Sequence, residues 1–341
     1  MDHSTRLLAP RLRFALLALA ALGAPQAHAE KIVLGNSVHG LHSLPIYVAA
    51  NKGLFKQTGL EIEVVNFQGG ATATPALLGG STQIQAAGTE NMLKLAQQGQ
   101  AIVAVMTVQS TMNGAIMIRP DIAEKLGRKP TVADLKGLRI GTLARGGTAD
   151  MAVRYIAKTI GLDAEKDLTM VPILGFDKHL AALQAKDIDA SLTVEPVQTF
   201  WSKGPAKMVY VVDMLKGEGP AIFQNMGWVT LQGKKDWIAN NREAVRKIVG
   251  VIVEAQRMIA DEANLAEVVK LAQVSFPNVP APMLEASIRN QLKSYAPEFT
   301  EEMVAKNNEL LVSTGNLRAP IAYTSVVDPS FADLWAAFRK K

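Results

Sequence analysis

Two glycine pairs stand where a backbone could approach a ligand, one in each half of the chain. Gly69-Gly70-Ala71-Thr72 follows a β-rich run and precedes a predicted helix, and Gly146-Gly147-Thr148-Ala149 does the same further on. Glycines at a strand's carboxyl end allow close approach of a ligand, and the next helix offers unpaired N–H groups and a positive dipole end. One such pair is an ordinary turn. Its recurrence favours a cleft, since ligands of doubly wound sheets lie at strand ends.

Two other patterns suggest chemistry but fail on spacing. Gly35-x-Ser37-x-x-Gly40 follows a strand, but a nucleophile elbow needs G-x-S-x-G and the fifth position here is His39. His39 and His42 are three residues apart, and the only other histidine after residue 29 is His179. Zinc takes three or four nitrogen or sulfur ligands, and the chain has no cysteine, so no metal site is predicted. The imidazoles of His39 and His42 either bind the ligand or lie in a polar loop.

Hydroxyl and carboxyl side chains near predicted strand ends complete the candidate site. The hydroxyls suit an anion, whereas Glu90 and Glu195 suit an ammonium or a ring N–H. Each glutamate also has a structural interpretation, Glu90 at a helix N-terminus and Glu195 before Pro196. No catalytic residue, metal or cofactor is predicted. The predicted ligand-binding residues are Ser37, His39, His42, Gly70, Ala71, Thr72, Thr89, Glu90, Asn113, Gly147, Thr148 and Glu195.

The elements that would position these residues alternate between short strands and helices, which indicates βαβ units and mainly parallel sheets. Strands are predicted at 31–36, 61–67, 83–87, 101–108, 138–143, 168–173, 188–194 and 207–212. Helices are predicted around Pro45, near Leu77 with Pro75 in the first turn and Thr72 or Thr74 as N-cap, and at 90–98, 131–137, 148–160 and 178–185. Beyond Trp237 the chain is predicted to be helical, with a core stripe of Val245, Ile248, Val249, Ile252 and Ile259.

The N-terminus of the 341-residue chain has the pattern of an export signal. Three arginines precede the apolar run 14–24, and Ala27-His28-Ala29 is a signal-peptidase pattern that predicts cleavage after Ala29 by the Sec route. Removing residues 1–29 takes away three arginines and one aspartate, so the net charge falls from +5 to +3. The absence of cysteine excludes a disulfide scaffold, a cysteine nucleophile and a lipoprotein anchor. No basic stripe or nucleic-acid motif is present, so no nucleic-acid partner is predicted.

A series of short motifs resembles the periplasmic binding proteins of the nitrate/sulfonate/taurine (SsuA/TauA) and thiamine-precursor (THI5/NMT1-like) group. Their order along the chain, from about Lys31 to Trp237, makes the resemblance specific. Thr82-Gln83 departs from the family, which often has an aspartate before that strand. The motifs are Leu44-Pro45-x-Tyr47-Val48-Ala49-x-x-Lys52-Gly53-x-Phe55, Gly59-Leu60-x-Ile62-Glu63, Gly69-Gly70-Ala71, Ala76-Leu77-x-x-Gly80, Asp134-Leu135-Lys136-Gly137-x-x-Ile140-Gly141, Asp187-Ile188-Asp189-Ala190 and Glu195-Pro196.

The resemblance implies an α/β protein of the type II periplasmic-binding fold, with two doubly wound lobes, a hinge and a helical C-terminus. It places crossovers near Asn113–Arg119 and Met226–Leu231. Residues 1–29 are then a signal peptide, 30–112 plus 226–341 form a discontinuous first lobe, and 113–225 form the second. Ligand would be trapped between the lobes by hinge closure.

The implied function is that of a monomeric periplasmic receptor for an ABC importer, with no enzymatic activity. It would capture a small organic solute, sulfonate- or taurine-like or another small organic anion or zwitterion, and deliver it to an inner-membrane permease with its ATPase. One alternative is the THI5-like enzyme that makes the thiamine pyrimidine from pyridoxal phosphate and its own histidine. That enzyme's cysteine-rich motif is impossible here, and an export signal does not suit its reaction. Another alternative is a protein that presents ligand to a membrane sensor.

Overall fold

Residues 31–339 are described by a computed structural model, and each predicted strand is found within three residues of its predicted ends. The predicted signal peptide lies outside these residues. The strands are β1 (Ile32–Asn36), β2 (Ile62–Asn66), β3 (Ile84–Gly88), β4 (Ile102–Gln109), β5 (Gly114–Ile118), β6 (Arg139–Thr142), β7 (Thr169–Pro172), β8 (Ala190–Val194), β9 (Val209–Asp213) and β10 (Val229–Lys234).

Helices cover both sheets and dominate the C-terminal third of the described chain. They are α1 (Leu44–Asn51), α2 (Leu54–Gln57), α3 (Gly70–Gly79), α4 (Thr89–Gln97), α5 (Pro120–Leu126), α6 (Thr148–Thr159), α7 (Phe176–Gln184), α8 (Val197–Lys203), α9 (Lys235–Asn240), α10 (Arg242–Ala260), α11 (Leu265–Ser275), α12 (Ala281–Arg289), α13 (Glu301–Ser313), α14 (Tyr323–Val326) and α15 (Ala332–Arg339). Within residues 31–339, no helix combines the length and hydropathy needed to cross a bilayer.

The strands form two five-stranded sheets with the orders β2-β1-β3-β10-β4 and β7-β6-β8-β5-β9. The prediction of mainly parallel sheets needs a correction, because β10 runs antiparallel to β3 and β4, and β5 runs antiparallel to β8 and β9. Each of these strands follows a passage of the chain from the other sheet and therefore runs against its neighbours. The chain leaves the first sheet after Gln109 and returns to it at Val229. On this basis we propose the lobe boundaries given above.

The C-terminal helices pack against the first sheet's helical layer, as the sequence predicts. The stripe of α10 lies in the core, with Val245, Ile248, Val249, Ile252 and Ile259 all buried. Helix α1 packs on α10 and α11, so the C-terminal segment belongs to the same core as β1 and its following helix. The confirmed period shows that burial of one apolar face determines where this helix lies.

Local predictions near α3 and before β6 are less accurate. Helix α3 begins at Gly70 with Gly69 as its N-cap residue, so Pro75 lies inside the helix and neither Thr72 nor Thr74 is the cap. Gly69 has φ +139°, a conformation that side-chain-bearing residues rarely adopt, which places the helix start at the glycine pair. The helix predicted at 131–137 is a single 3₁₀ turn, Val132–Leu135.

An ion-pair cluster at one end of β5, β6 and β8, the central strands of the second sheet, supplies a test of the stability of this lobe. Asp189 accepts hydrogen bonds from Arg119 Nη1 at 2.7 Å and from Arg139 Nε at 3.0 Å. Burial alone would raise the pKa of Asp189, but hydrogen bonds from Arg139 and then Arg119 hold it below its usual value. The stabilisation is therefore present above pH ~4 and is lost as the pH falls from there toward the lower folded pKa.

We expect Asp189→Asn to reduce the free energy of unfolding by about 2 kcal/mol at pH 7, between the values for buried and exposed pairs. The difference from wild type should shrink below pH ~4. Asp163→Asn is the control, because Asp163 forms an exposed pair with Lys166 on the same lobe. Urea denaturation at several pH values measures both, and equal losses for the two variants would contradict the prediction.

Candidate ligand-binding site

A cavity of about 420 Å³ lies between the two sheets and is lined by residues from both. This size is within the range of small-molecule sites in proteins. Polar positions on its wall include Ser37, His42, Thr74, Glu90, Asn91, Lys94, Arg145, Thr148 and Trp228, and apolar positions include Val38, Leu95, Met112, Leu143, Phe176, Leu192, Val194 and Val229.

Strand ends and helix starts form the polar part of the wall. Gly88 ends β3 and Val194 ends β8, helices α3 and α6 begin at cavity positions, and the second residue of α4, Glu90, lines the cavity. No side chain caps the N-terminus of any of these three helices. The N–H groups of Thr72 and Thr89 donate to the Gly69 and Trp228 carbonyls, and the other first-turn N–H groups can bind acceptor atoms of a ligand. Both glycine pairs thus lie on the cavity wall, where the sequence predicts close approach of a ligand.

Glu90 occupies the start of α4 and is only 4% exposed. Its Oε1 accepts one hydrogen bond from the Thr148 hydroxyl and another, at 3.1 Å, from Asn91 Nδ2. The carboxylate lies over Gly88, where an added Cβ would be 2.0 Å from Glu90 Oε2. Because no larger residue leaves that space free, Gly88 determines where the carboxylate sits.

Hydrogen bonds connect the two sides of the cavity. The Thr148 hydroxyl, at the start of α6, donates to Glu90, and Lys94 Nζ donates to the carbonyl oxygen of Gly146 at 2.8 Å. Both contacts join α4, next to the first sheet, to the glycine turn that follows β6. The structure therefore has the two sheets closed around the cavity.

Two buried rings place unpaired polar atoms at the cavity. His42 and Trp228 meet edge to face with centroids 5.5 Å apart, and both line the cavity. Within residues 31–339, neither His42 Nδ1 nor Trp228 Nε1 has a hydrogen-bond partner. Burial lowers the pKa of His42 to about 4, so the ring is neutral at pH 7. Unpaired buried polar atoms cost about 1–3 kcal/mol each.

Seven of the predicted residues line this cavity: Ser37, His42, Gly70, Ala71, Glu90, Gly147 and Thr148. His39 does not. It stacks on Phe276 with centroids 4.4 Å apart and lines a neighbouring cavity of about 300 Å³.

The remaining four predicted residues bond inside the protein instead of lining the cavity. The Thr72 hydroxyl donates to the Gly69 carbonyl at 3.0 Å, and the Thr89 hydroxyl donates to the Gly227 carbonyl. Asn113 Nδ2 donates to Gln291 Oε1 at 2.9 Å.

Glu195, the last of the four, is fully buried. Its Oε1 accepts from the Thr199 hydroxyl at 2.8 Å and from Asn290 Nδ2 at 3.3 Å. Burial raises the pKa of Glu195. This arrangement agrees with the structural interpretation of the Glu195-Pro196 motif.

The polar cavity residues absent from the prediction include Asn91, Lys94 and Trp228. Asn91 and Lys94 share helix α4 with Glu90, so the helical spacing from a suspected site residue could have indicated them. Trp228 follows the return passage of the chain, and nothing in the local sequence relates it to site residues as distant as Glu90 and Thr148.

The enzyme and metal alternatives can be compared with the described residues. No group of three or more His, Asp or Glu side chains suited to a metal ion is found between residues 31 and 339. The buried His179 pairs with Ser191, with Nδ1 and Oγ 2.7 Å apart, but its Nε2 is 2.7 Å from the Ile173 carbonyl oxygen. A hydrolytic serine must reach substrate, whereas Ser191 is fully buried in the second sheet.

Two mixed sheets of this strand order, with a helical C-terminus, define the type II periplasmic-binding fold. The alkanesulfonate-binding protein SsuA of Xanthomonas axonopodis pv. citri, bound to MOPS, has a similar structure (TM-score 0.71, 18% identity, 87% of this chain and 98% of that one). The periplasmic nitrate-binding protein NrtA of Synechocystis PCC 6803 is also similar (TM-score 0.70, 14% identity, 91% and 88%). So is a zinc-bound ligand-binding component of a Staphylococcus aureus ABC-type import system (TM-score 0.72, 16% identity, 89% and 98%).

The chain belongs to the NMT1-like family, whose model matches residues 29–273. It is also similar to a candidate binding protein of Bacillus subtilis (strain 168), YtlA, with 23% identity over 326 residues and 94% of each chain covered. The family resemblance inferred from the sequence motifs is therefore confirmed.

Proposed function

We propose that this protein is the periplasmic substrate-binding component of an ABC importer, which captures a small organic anion or zwitterion and has no enzymatic activity. The observation that carries the proposal is the cavity enclosed between two sheets, with hydrogen bonds joining its two sides. Two of the similar proteins are binding proteins for alkanesulfonate and for nitrate, and this similarity supports the receptor role. The predicted signal peptide supports the periplasm as its compartment.

Ligand capture would work by rotation of the two lobes about the passages between the sheets. The open form exposes the uncapped starts of α3, α4 and α6 to solvent, and closure brings Thr148 and Lys94 to their partners. A ligand that touches both sides favours the closed form in proportion to its extra contacts there. The permease would then recognise the closed, loaded receptor.

Two further contacts between the proposed lobes lie outside the cavity and can be used to test closure. The Tyr155 hydroxyl on α6 donates to Glu309 Oε1 on α13 at 2.6 Å, and Lys158 Nζ donates to the Ser313 carbonyl at 3.1 Å. Neither Tyr155 nor Lys158 lines the cavity. Changing them therefore alters the opening equilibrium and leaves the ligand contacts in place.

We expect a ligand found by thermal-shift screening to reduce the radius of gyration of the purified protein. The double variant Tyr155→Phe, Lys158→Met should have a larger radius than wild type without ligand. It should also bind about fivefold more weakly, since two exposed hydrogen bonds are lost. Lys166→Met, which removes an exposed pair with Asp163 on one lobe, is the control. Small-angle X-ray scattering with and without ligand measures the radius of gyration of each protein. A radius of gyration that saturating ligand leaves unchanged contradicts hinge closure.

A further inference from the structure

We infer that the captured solute carries a positively charged N–H group, held by Glu90, on an apolar body. The inference rests on the proposed receptor function and narrows its ligand class to amine-bearing solutes, among which a zwitterion fits the cavity best. An acid without such a group, or an inorganic anion, would leave the Glu90 carboxylate without a positively charged partner.

The charges around the cavity carry the first step. Lys94 is half-buried and donates to the Gly146 carbonyl, and Arg145 is exposed and pairs with Glu165 at 2.8 Å. His42 is neutral at pH 7, because burial lowers its pKa to about 4. Among the described lining residues, Glu90 is therefore the one that is both buried and charged. The buried part of the wall thus offers a carboxylate and no cation.

The hydrogen bonds of Glu90 carry the second step. Within residues 31–339 its partners are a hydroxyl and an amide, Thr148 and Asn91, and both contact Oε1. A carboxylate has about four acceptor sites. Oε2 receives no hydrogen bond from the described residues and lies in the space that Gly88 leaves open. A buried charged acceptor is costly without a charged donor, so this oxygen is suited to a ligand ammonium or protonated ring nitrogen.

The rest of the cavity defines the other parts of the solute. Met112, Phe176 and Leu192 supply an apolar wall, which suits a hydrocarbon or aromatic body. Trp228, which is 7% exposed, adds an aromatic ring to this wall. The uncapped starts of α3 and α6 offer N–H groups for a carboxylate or sulfonate. A cavity of about 420 Å³ is also far larger than nitrate needs.

Two variants of the full mature protein test the role of the carboxylate. Glu90→Gln keeps the shape and removes the charge. Gly88→Ala removes no polar group, but its methyl would occupy the position of Glu90 Oε2. The displaced atom is the end of a flexible side chain and Gly88 has φ −55°, so the fold should tolerate alanine. Glu285→Gln is the control, because Glu285 forms an exposed pair with Arg289 within α12 and lies outside the cavity.

The probes are matched compounds on one skeleton: 3-phenylpropionate with an acid only, 2-phenylethylamine with an amine only, and phenylalanine with both. Propanesulfonate and 3-aminopropanesulfonate form a second pair. We expect an amine-bearing probe at about 100 times its Kd to raise the Tm by about 5–10 °C. Glu90→Gln and Gly88→Ala should weaken its binding about ten- to a hundredfold by calorimetry, with Glu285→Gln near wild type.

Three outcomes would overturn the inference: no amine-bearing probe raises the Tm, an acid-only probe binds more tightly than its amine-bearing partner, or Glu90→Gln binds the amine as well as wild type does. The receptor function is judged separately. If an acid-only probe binds and reduces the radius of gyration, the receptor function stands and the inference about Glu90 fails. If no probe of either kind binds, both fail.

Discussion

Gly227→Ala should lower the free energy of unfolding by about 3 kcal/mol, the largest stability effect we expect from a single methyl group in this protein. Gly227 has φ +63°, and a Cβ there would be 2.7 Å from Phe299 Cε2 and 3.2 Å from Met303 Cβ. The left-handed backbone costs alanine about 1–2 kcal/mol. Forcing a carbon against the fully buried Phe299 adds about 1–3 kcal/mol, because a packed core yields little.

Gly217→Ala separates the two contributions. Gly217 has nearly the same backbone conformation, φ +74°, but a Cβ there would meet no described atom within 4 Å. We therefore expect only the backbone cost of about 1–2 kcal/mol at this position. Urea denaturation of both variants gives the difference. Equal losses at positions 217 and 227 would show that packing against Phe299 contributes nothing.

Gly227→Ala should also impair ligand binding, because Gly227 is hydrogen-bonded to the helix that carries Glu90. Its carbonyl accepts the hydroxyl of Thr89, and the Trp228 carbonyl accepts the Thr89 N–H at 3.0 Å. These two bonds hold the return passage of the chain against the start of α4, one residue before Glu90. Thr89 is thus a positioning residue, which explains why it lies beside the site and not on its wall.

The strand and helix pattern could be predicted because each element depends on its own residues. The alternation of the strands and the stripe of α10 are local signals, and the structure confirms them. The start of α3 was misplaced because Pro75 is more often found in a first turn than at the sixth helical position. There the tertiary position of the Gly69 turn outweighs the local preference.

The sequence identifies side chains whose type suits a ligand. It does not show which of these side chains bond to other parts of the protein instead. The side chains of Thr89, Asn113 and Glu195 suit ligand binding as well as the side chains that do line the cavity. Their actual partners lie 138 residues away at Gly227 for Thr89 and 178 away at Gln291 for Asn113. A single sequence contains no signal for such pairings. The sequence also does not show the role of Gly88, because that role depends on the position of the Glu90 side chain in the folded protein.

Thr148→Val should weaken ligand binding about ten- to a hundredfold while changing the free energy of unfolding by less than about 1 kcal/mol. The hydroxyl of Thr148 donates to Glu90 Oε1 across the cavity, and valine keeps the shape of the side chain but removes this donor. A hydrogen bond to a charged group contributes about 1.5–3 kcal/mol. Because this bond joins α6 to α4, its loss should lower the stability of the closed form and leave each lobe intact.

A capping role for Thr148 predicts the opposite pattern, a loss of about 0.5–2 kcal/mol in stability with full affinity. The structure argues against it, since Gly147 is the N-cap residue of α6 and no side chain caps that helix. Thr159→Val is the matched control, because the Thr159 hydroxyl lies at the other end of α6 and donates to the Ile156 carbonyl at 2.7 Å within the helix.

Calorimetry and thermal melts on both threonine variants separate these interpretations. Weaker binding by Thr148→Val alone assigns the effect to the contact with Glu90. The same loss in a Glu90→Gln, Thr148→Val double variant as in Glu90→Gln would show that the hydroxyl acts through that carboxylate, since residues that share one interaction are not additive. A full additional loss in the double variant would mean that Thr148 contacts the ligand directly, as the sequence pattern of the second glycine pair first indicates.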